Sequence, residues 1–231
     1  MSQISPARRF FRKLPKGFRK RPLIRRFVIW LQSHLLPHDW VYDGTYYGEA
    51  VETPATKAAA VISASIVQDL NPSKVADVGC GTGAMLEALQ TRGCSVQGFE
   101  KSKAALEICH ARKLQVKEFD LENDDMPIER MFDVVISMEV AEHLPQKVDD
   151  RYIDMLTHLA PIVVFTAAPP GQGGTDHINE QPPEYWLEKF RRRNFQLDGS
   201  LTNSWRKSWG QSGQVKSWYF ANLMIFRKLN T

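Results

Sequence analysis

Val75-Ala76-Asp77-Val78-Gly79-Cys80-Gly81-Thr82-Gly83 runs a short apolar strand into a glycine-rich turn, and the helix-forming Ala84-Met85-Leu86-Glu87 follows directly. Strand, glycine turn and helix in that order open an α/β sheet of the type that binds ligands outside the carboxyl ends of its strands. Glycine lets the backbone approach such a ligand closely. Glu100 ends the next β-rich run 17 residues after Gly83, where a carboxylate can accept both hydroxyls of a ribose. The wording is not the GxGxxG of NAD-binding proteins, because position 84 is Ala and the third glycine comes one residue early. An NAD site stays open at this point, as does a tight turn without a ligand.

Working outward, β-rich runs alternate with helical ones. The expected strands are 75–78, 95–99, 115–119, 132–138 and 162–166, and the expected helices are 54–70, 84–91, 102–112, 146–159 and 182–193. Strands separated by single helices pair in parallel through right-handed crossovers, which predicts a doubly wound sheet. After residue 193 the chain turns polar, and the stretch 218–226 (WYFANLMIF) reads as a late apolar strand. Trp205, Arg206, Lys207, Ser208 and Trp209 fall in that polar insertion and read as an exposed loop, with an acceptor-pocket lining as the alternative.

The chain has 231 residues, 43% hydrophobic and 24% charged, enough for one domain with a real core and neither disordered nor collagenous. Its net charge of +4 is an average over two unlike parts. Residues 1–38 hold ten Lys/Arg and no Asp/Glu, leaving 20 basic and 26 acidic residues in 39–231, a net −6. A basic arm with an amphipathic helix at 23–36 is therefore expected before a domain at 39–231. Cys80, Cys94 and Cys109 have neither paired CxxC spacing nor a disulfide pattern, so a reducing compartment, the cytoplasm, is expected. The longest early apolar run, Phe27-Val28-Ile29-Trp30-Leu31, is far short of the roughly 20 residues that cross a bilayer.

The Asp77-Val78-Gly79-Cys80-Gly81-Thr82-Gly83 wording resembles motif I of the class I S-adenosylmethionine (SAM) dependent methyltransferases, and the likeness runs from about residue 40 to 227. It implies a Rossmann-like α/β fold: a seven-stranded, mostly parallel sheet with helices on both faces and a terminal hairpin. It also implies SAM as cofactor. Gly79, Gly81 and Gly83, after Asp77, would pack by its amino-acid part, Glu100 would hold the ribose, and Asp120 with Leu121 would lie near the adenine.

Phe132-Asp133-Val134-Val135-Ile136-Ser137-Met138-Glu139-Val140-Ala141-Glu142-His143-Leu144-Pro145 resembles the post-strand-four motif of a subgroup that includes ubiquinone-pathway O-methyltransferases and small-RNA 2′-O-methyltransferases. If the chain turns helical after Met138, then Glu139, Glu142 and His143 stand at i, i+3 and i+4 on one face beside the methyl donor. Two carboxylates and an imidazole would suit a divalent cation, Mg²⁺ by its oxygen ligands, with the His keeping Zn²⁺ or Mn²⁺ open. In the RNA-modifying relatives a further His after strand five completes the site, and His177 stands at about that place. The other reading has Glu139 touching SAM while His143 acts without metal.

Residues 167–183 form a stretch too long for a connector, and loops of that length are usually functional. Gly173-Gly174-Thr175-Asp176-His177-Ile178-Asn179 before Tyr185-Trp186 resembles the substrate-side loop of small-molecule and glycan-biosynthesis methyltransferases. His177 is the expected general base, assisted by His143 and Glu142, since an imidazole titrates near neutrality. Tyr185 and Trp186 read as core aromatics, and Tyr42, Tyr46 and Tyr47 either close over SAM or pack.

These readings converge on methyl transfer from SAM to a hydroxyl of a small molecule: a sugar or glycan, a phenolic or a lipid-soluble metabolite. Two rivals stand beside it, an RNA 2′-O-methyltransferase with a metal site and a catalytically silent SAM-binding partner protein. The basic arm reads as a lid helix with a solvated tail, as a peripheral contact with anionic membranes, or as a nucleic-acid contact. The last is the weakest of the three, because the body is acidic and no RNA-binding module accompanies the arm.

Overall fold

The computed structural model describes residues 52–125, 132–174 and 176–229. The arm at 1–38, the helix at 23–36 and Tyr42, Tyr46 and Tyr47 lie outside the described residues, as does Thr175 of the long loop.

Helix α1 (Glu52–Leu70) is rich in alanine and ends at Asn71, which takes the left-handed conformation before Pro72. There follow β1 (Lys74–Val78), α2 (Ala84–Thr91), β2 (Ser95–Glu100), α3 (Lys103–Ala111), β3 (Val116–Glu118), β4 (Val134–Met138), α4 (Asp149–Leu159) and β5 (Ile162–Thr166). Then come α5 (Pro183–Arg191), β6 (Phe195–Leu197), α6 (Gly199–Ser212), α7 (Ser217–Asn222) and β7 (Met224–Lys228). The seven strands form one sheet in the order β3-β2-β1-β4-β5-β7-β6. β7 runs antiparallel to both its neighbours, and every other pairing is parallel. The chain winds from β1 outward to β3, then returns to β4 on the other side of β1, so the sheet's switch point lies between β1 and β4. Ligands bind such sheets in the crevice that opens there.

Alternation along each strand sorts the core into two layers. Ala76, Val135, Val163 and Phe165 face α4 and α5, meeting Tyr152, Ile153, Leu156, Trp186 and Phe190. Val75, Val134, Ile136 and Val164 face α1, α2 and α6, meeting Ile62, Ile66, Leu86, Leu89, Trp205 and Trp209. Trp186 packs as expected, its ring 5.4 Å from that of Phe165.

The end of the chain departs from the sequence reading. The polar insertion is helical: the Asp198 side chain caps α6 by accepting from the Leu201 N–H at 3.0 Å, and Gly213 closes it in the left-handed conformation. Trp205 and Trp209, one turn apart, are 1% and 0% exposed, so they are core residues and neither a loop nor a pocket lining. Their indole N–H groups donate to Asp69 and Ser65 of α1. The expected strand at 218–226 is a helix through Asn222 and a strand only from Met224. β6 and β7 are antiparallel neighbours, yet α6 and α7 lie between them in sequence, so they are not joined as a hairpin.

Candidate functional site

At the carboxyl end of β1 the glycine turn packs against Val140, just after β4, and the Gly79 N–H donates to the Phe99 carbonyl of β2. Gly79 has φ 77°, and a Cβ there would lie 2.5 Å from a Val140 methyl, so both backbone conformation and space call for glycine. Glu100, at the end of β2, locks the turn from below. Its Oε2 accepts from the Gly81 N–H at 2.8 Å, and its Oε1 accepts from the N–H groups of Lys101 and Ser102. Burial pushes the Glu100 carboxyl up, and these three bonds offset part of the rise. Asp77 is buried behind the turn, and burial together with the nearby Glu100 charge pushes it up to about 7. Asp120 is engaged by its own loop, accepting from Lys101 at 2.9 Å, the Asn123 amide and the Glu122 N–H. Leu121 packs beside it on the α4 side of the sheet.

After β4 the chain does not continue as a helix with Glu139, Glu142 and His143 on one face. Glu139 takes φ 57°, and a single 3-10 turn spans Ala141–His143. The left-handed step gives the two neighbouring glutamates different partners. The Glu139 carboxylate accepts from Gln172 Nε2 at 3.0 Å and from Asn222 Nδ2 at 3.1 Å, while Glu142 turns inward and is fully buried. Among the described residues neither Glu142 oxygen has a well-formed hydrogen bond. Burial, and next the charge of Glu139, push its carboxyl well above the usual carboxylate range.

The long loop after β5 is built against that turn. The Glu142 carbonyl accepts from the N–H groups of Ile178 and Asn179. Asn179 donates to buried Asp149 at 2.9 Å, and the Tyr185 hydroxyl donates to the other Asp149 oxygen at 2.7 Å. Glu180 gathers the loop's tip, accepting from Gly171 N, Gly173 N and His177 Nδ1 at 2.7, 2.6 and 3.1 Å. Burial alone would raise the Glu180 carboxyl, but these bonds outweigh it and hold it below its ordinary value. His143 Nδ1 lies 3.2 Å from the Asp176 carbonyl. With His177 Nδ1 facing a carboxylate, the tautomer that satisfies it carries the proton there and leaves Nε2 as the basic nitrogen. The His143 and His177 rings meet edge to face, 5.0 Å between centroids. Gly174 is required by this packing, because a Cβ there would lie on His177 Nε2.

The structure thus brings Glu142, His143 and His177 together, with one ligand atom from each within 4.8 Å of the others. Glu139 lies beside Glu142 but outside this cluster, engaged by the Gln172 and Asn222 amides. Sequence reasoning missed Glu180, Asp149, Gln172 and Asn222. Glu180 was legible as an acid three residues beyond His177; Asp149 and Asn222 had no sequence signal, since their roles depend on where α4 and α7 dock.

Two solved structures share this architecture. A sugar N-methyltransferase from Streptoalloteichus superposes with TM-score 0.59 at 15% identity, covering 80% of this chain and 92% of that one. Magnesium protoporphyrin IX methyltransferase from Synechocystis with bound SAM superposes with TM-score 0.58 at 15% identity, covering 88% and 91%. The chain has the class I SAM-dependent methyltransferase fold. Within this methyltransferase fold, a family profile described as methionine biosynthesis protein MetW matches residues 60–165, from α1 through β5. The ubiquinone biosynthesis O-methyltransferase of Acinetobacter baylyi is 33% identical over 79 residues, 31% of this chain and 33% of that protein. The chain therefore spans about a third of the length of the curated relative it matches. Among the described residues no helix is long and apolar enough to cross a membrane.

Proposed function

We propose that this chain transfers the methyl group of SAM to a hydroxyl of a small molecule, with His177 as general base. The observation that supports the reading is the His177–Glu180 pair in the loop after β5, where the carboxylate engages Nδ1 and leaves Nε2 as the basic nitrogen. SAM supplies an electrophilic methyl on a sulfonium. The glycine turn and Glu100 would hold its amino-acid and ribose parts, and Asp77 would face its positive charge. The acceptor hydroxyl loses its proton to His177 Nε2 as its oxygen bonds the methyl carbon and the carbon–sulfur bond breaks, releasing S-adenosylhomocysteine. Orienting the two partners in line supplies much of the rate, and the base contributes typically 10²–10⁴-fold.

Oxygen as the accepting atom is supported by the curated relatives named as O-methyltransferases over the matched third. The sugar named for the Streptoalloteichus enzyme supports a glycan or glycoside among the acceptors, alongside phenolic and lipid-soluble ones.

A second reading, a divalent cation, is favoured by the orphaned Glu142 oxygens beside two imidazoles. Glu142, His143 and His177 fit such an ion, and two nitrogens with one carboxylate suit Zn²⁺ or Mn²⁺ better than Mg²⁺. The ion would lower the pKa of the acceptor hydroxyl. The basic segment 1–38 would place the enzyme on anionic membrane surfaces; removing residues 1–26 should abolish vesicle binding and leave SAM affinity intact.

A screen with methyl-labelled SAM over glycosides, phenols, lipid-soluble metabolites and short RNAs tests the reading. Labelled hydroxyl product, lost in His177→Ala, is the expected result. SAM binding without product from any acceptor would make the chain a silent cofactor-binding partner instead. Loss of activity on exhaustive chelation, restored by Zn²⁺ or Mn²⁺, would select the cation over the base.

A further inference from the structure

Two features of α7 are unused by the mechanism above. Asn222, at its end, crosses the mouth of the site: Nδ2 donates to Glu139 Oε1 at 3.1 Å and to Gln172 Oε1 at 2.8 Å, and Gln172 Nε2 donates to Glu139 Oε2 at 3.0 Å. These three side chains come from α7, from the loop after β5 and from the end of β4. They form a closed polar ring in which Asn222 Oδ1 and one Gln172 N–H remain for another partner. Trp218, one turn earlier, is 39% exposed, while Trp186, Trp205 and Trp209 are core residues.

Helical spacing relates the two. At 100° per residue Trp218 and Asn222 project about 40° apart, on one face, whereas Phe220 projects about 160° from Asn222. Phe220 accordingly packs on the core layer that holds Trp205 and Trp209, where a Cβ at Gly210 would lie 3.6 Å from its ring. Asn222 reaches Glu139 and Gln172, and Trp218 lies on the same face of α7. The other exposed large apolar residues among those described, Leu197 and Leu229, sit at the ends of β6 and β7.

We infer that the face of α7 bearing Trp218 and Asn222, with Gln172 and Glu139, is the acceptor subsite, and that its occupant is a pyranose ring with several free hydroxyls. This rests on the methyl-transfer reading and names its substrate class. An indole offers a broad apolar plate against a ring face. Two amides and a carboxylate offer mixed donors and acceptors, at a density matched to neighbouring hydroxyls and excessive for a lone phenol.

The test is fluorine NMR on the full chain carrying fluorotryptophan at its six Trp positions. The Trp218 resonance is assigned through Trp218→Phe, the protein is saturated with S-adenosylhomocysteine, and methyl β-glucopyranoside and catechol are the probes. The expected result is a saturable shift of the Trp218 resonance by the glucoside. In Asn222→Ala the glucoside should bind roughly fivefold more weakly, the loss typical of one hydrogen bond, with S-adenosylhomocysteine affinity changed less than about twofold. A Trp218 resonance unmoved by the sugar, or moved more strongly by catechol, overturns the inference while leaving methyl transfer standing. Failure of the wild-type chain to bind S-adenosylhomocysteine overturns both.

Discussion

His177 Nδ1 and the Glu180 carboxylate stand 3.1 Å apart, and the same carboxylate accepts the Gly171 and Gly173 N–H groups. One side chain therefore shapes the loop and sets the histidine's tautomer, the arrangement that makes an imidazole a directed base.

Glu180→Gln keeps the shape of the side chain and removes its charge. Methyl transfer is expected to fall about 10- to 100-fold, the usual cost of losing such an orienting carboxylate, while SAM affinity holds. Steady-state kinetics beside binding titrations check the split. Equal losses in both would assign Glu180 to the cofactor instead.

Gly174→Ala places a methyl group on His177 Nε2, and Gly174 has no left-handed backbone to strain. The imidazole must move. The expected outcome is an activity loss of about 100-fold, the scale of a displacement near 1 Å, with unfolding free energy lowered by about 1–3 kcal/mol, the usual cost of overpacking. Denaturant unfolding and kinetics on one preparation decide it.

Asp77 is raised from 3.8 to about 7, so the folded chain binds this proton more tightly than the unfolded chain does. Its contribution to stability is full below pH 3.8 and is lost as pH rises toward about 7. A rise of that size corresponds to about 4 kcal/mol. Unfolding of wild type against Asp77→Asn over that range should show the difference closing with that sign. A bound sulfonium favours the ionised form, so SAM affinity should rise with pH up to about 7 and binding should release a proton, read from calorimetry in buffers of unlike ionisation enthalpy.

Trp209→Ala should lower stability by about 3–5 kcal/mol, because it empties a site stacked on Trp205 and breaks the bond to Ser65. Acceptor preference should not change, which separates its structural role from that given to Trp218.

Much of the central sheet was legible because local chemistry dictated it. Apolar runs of β-formers, the glycine turn at 79–83 and single helices between strands each constrain the chain without distant contacts. The end of the chain was misread because polar residues outnumber apolar ones in α6. The informative signal there was Leu201, Trp205 and Trp209 at helical spacing behind the Asp198 cap. In the site, Glu142, His143 and His177 were found from the resemblance of their two segments to methyltransferase motifs, yet the turn that leaves Glu139 outside their cluster was not, since it depends on one left-handed residue. Asn222 illustrates the limit most clearly: its contact with Glu139 spans 83 residues of sequence and exists only once α7 docks.

Titration calorimetry of SAM into the full chain measures the premise on which all else depends. Saturable one-to-one binding in the micromolar range, weakened about tenfold or more in Glu100→Gln as the glycine turn loses a charged acceptor, is the expected result. The absence of saturable heat with the wild-type chain would contradict it.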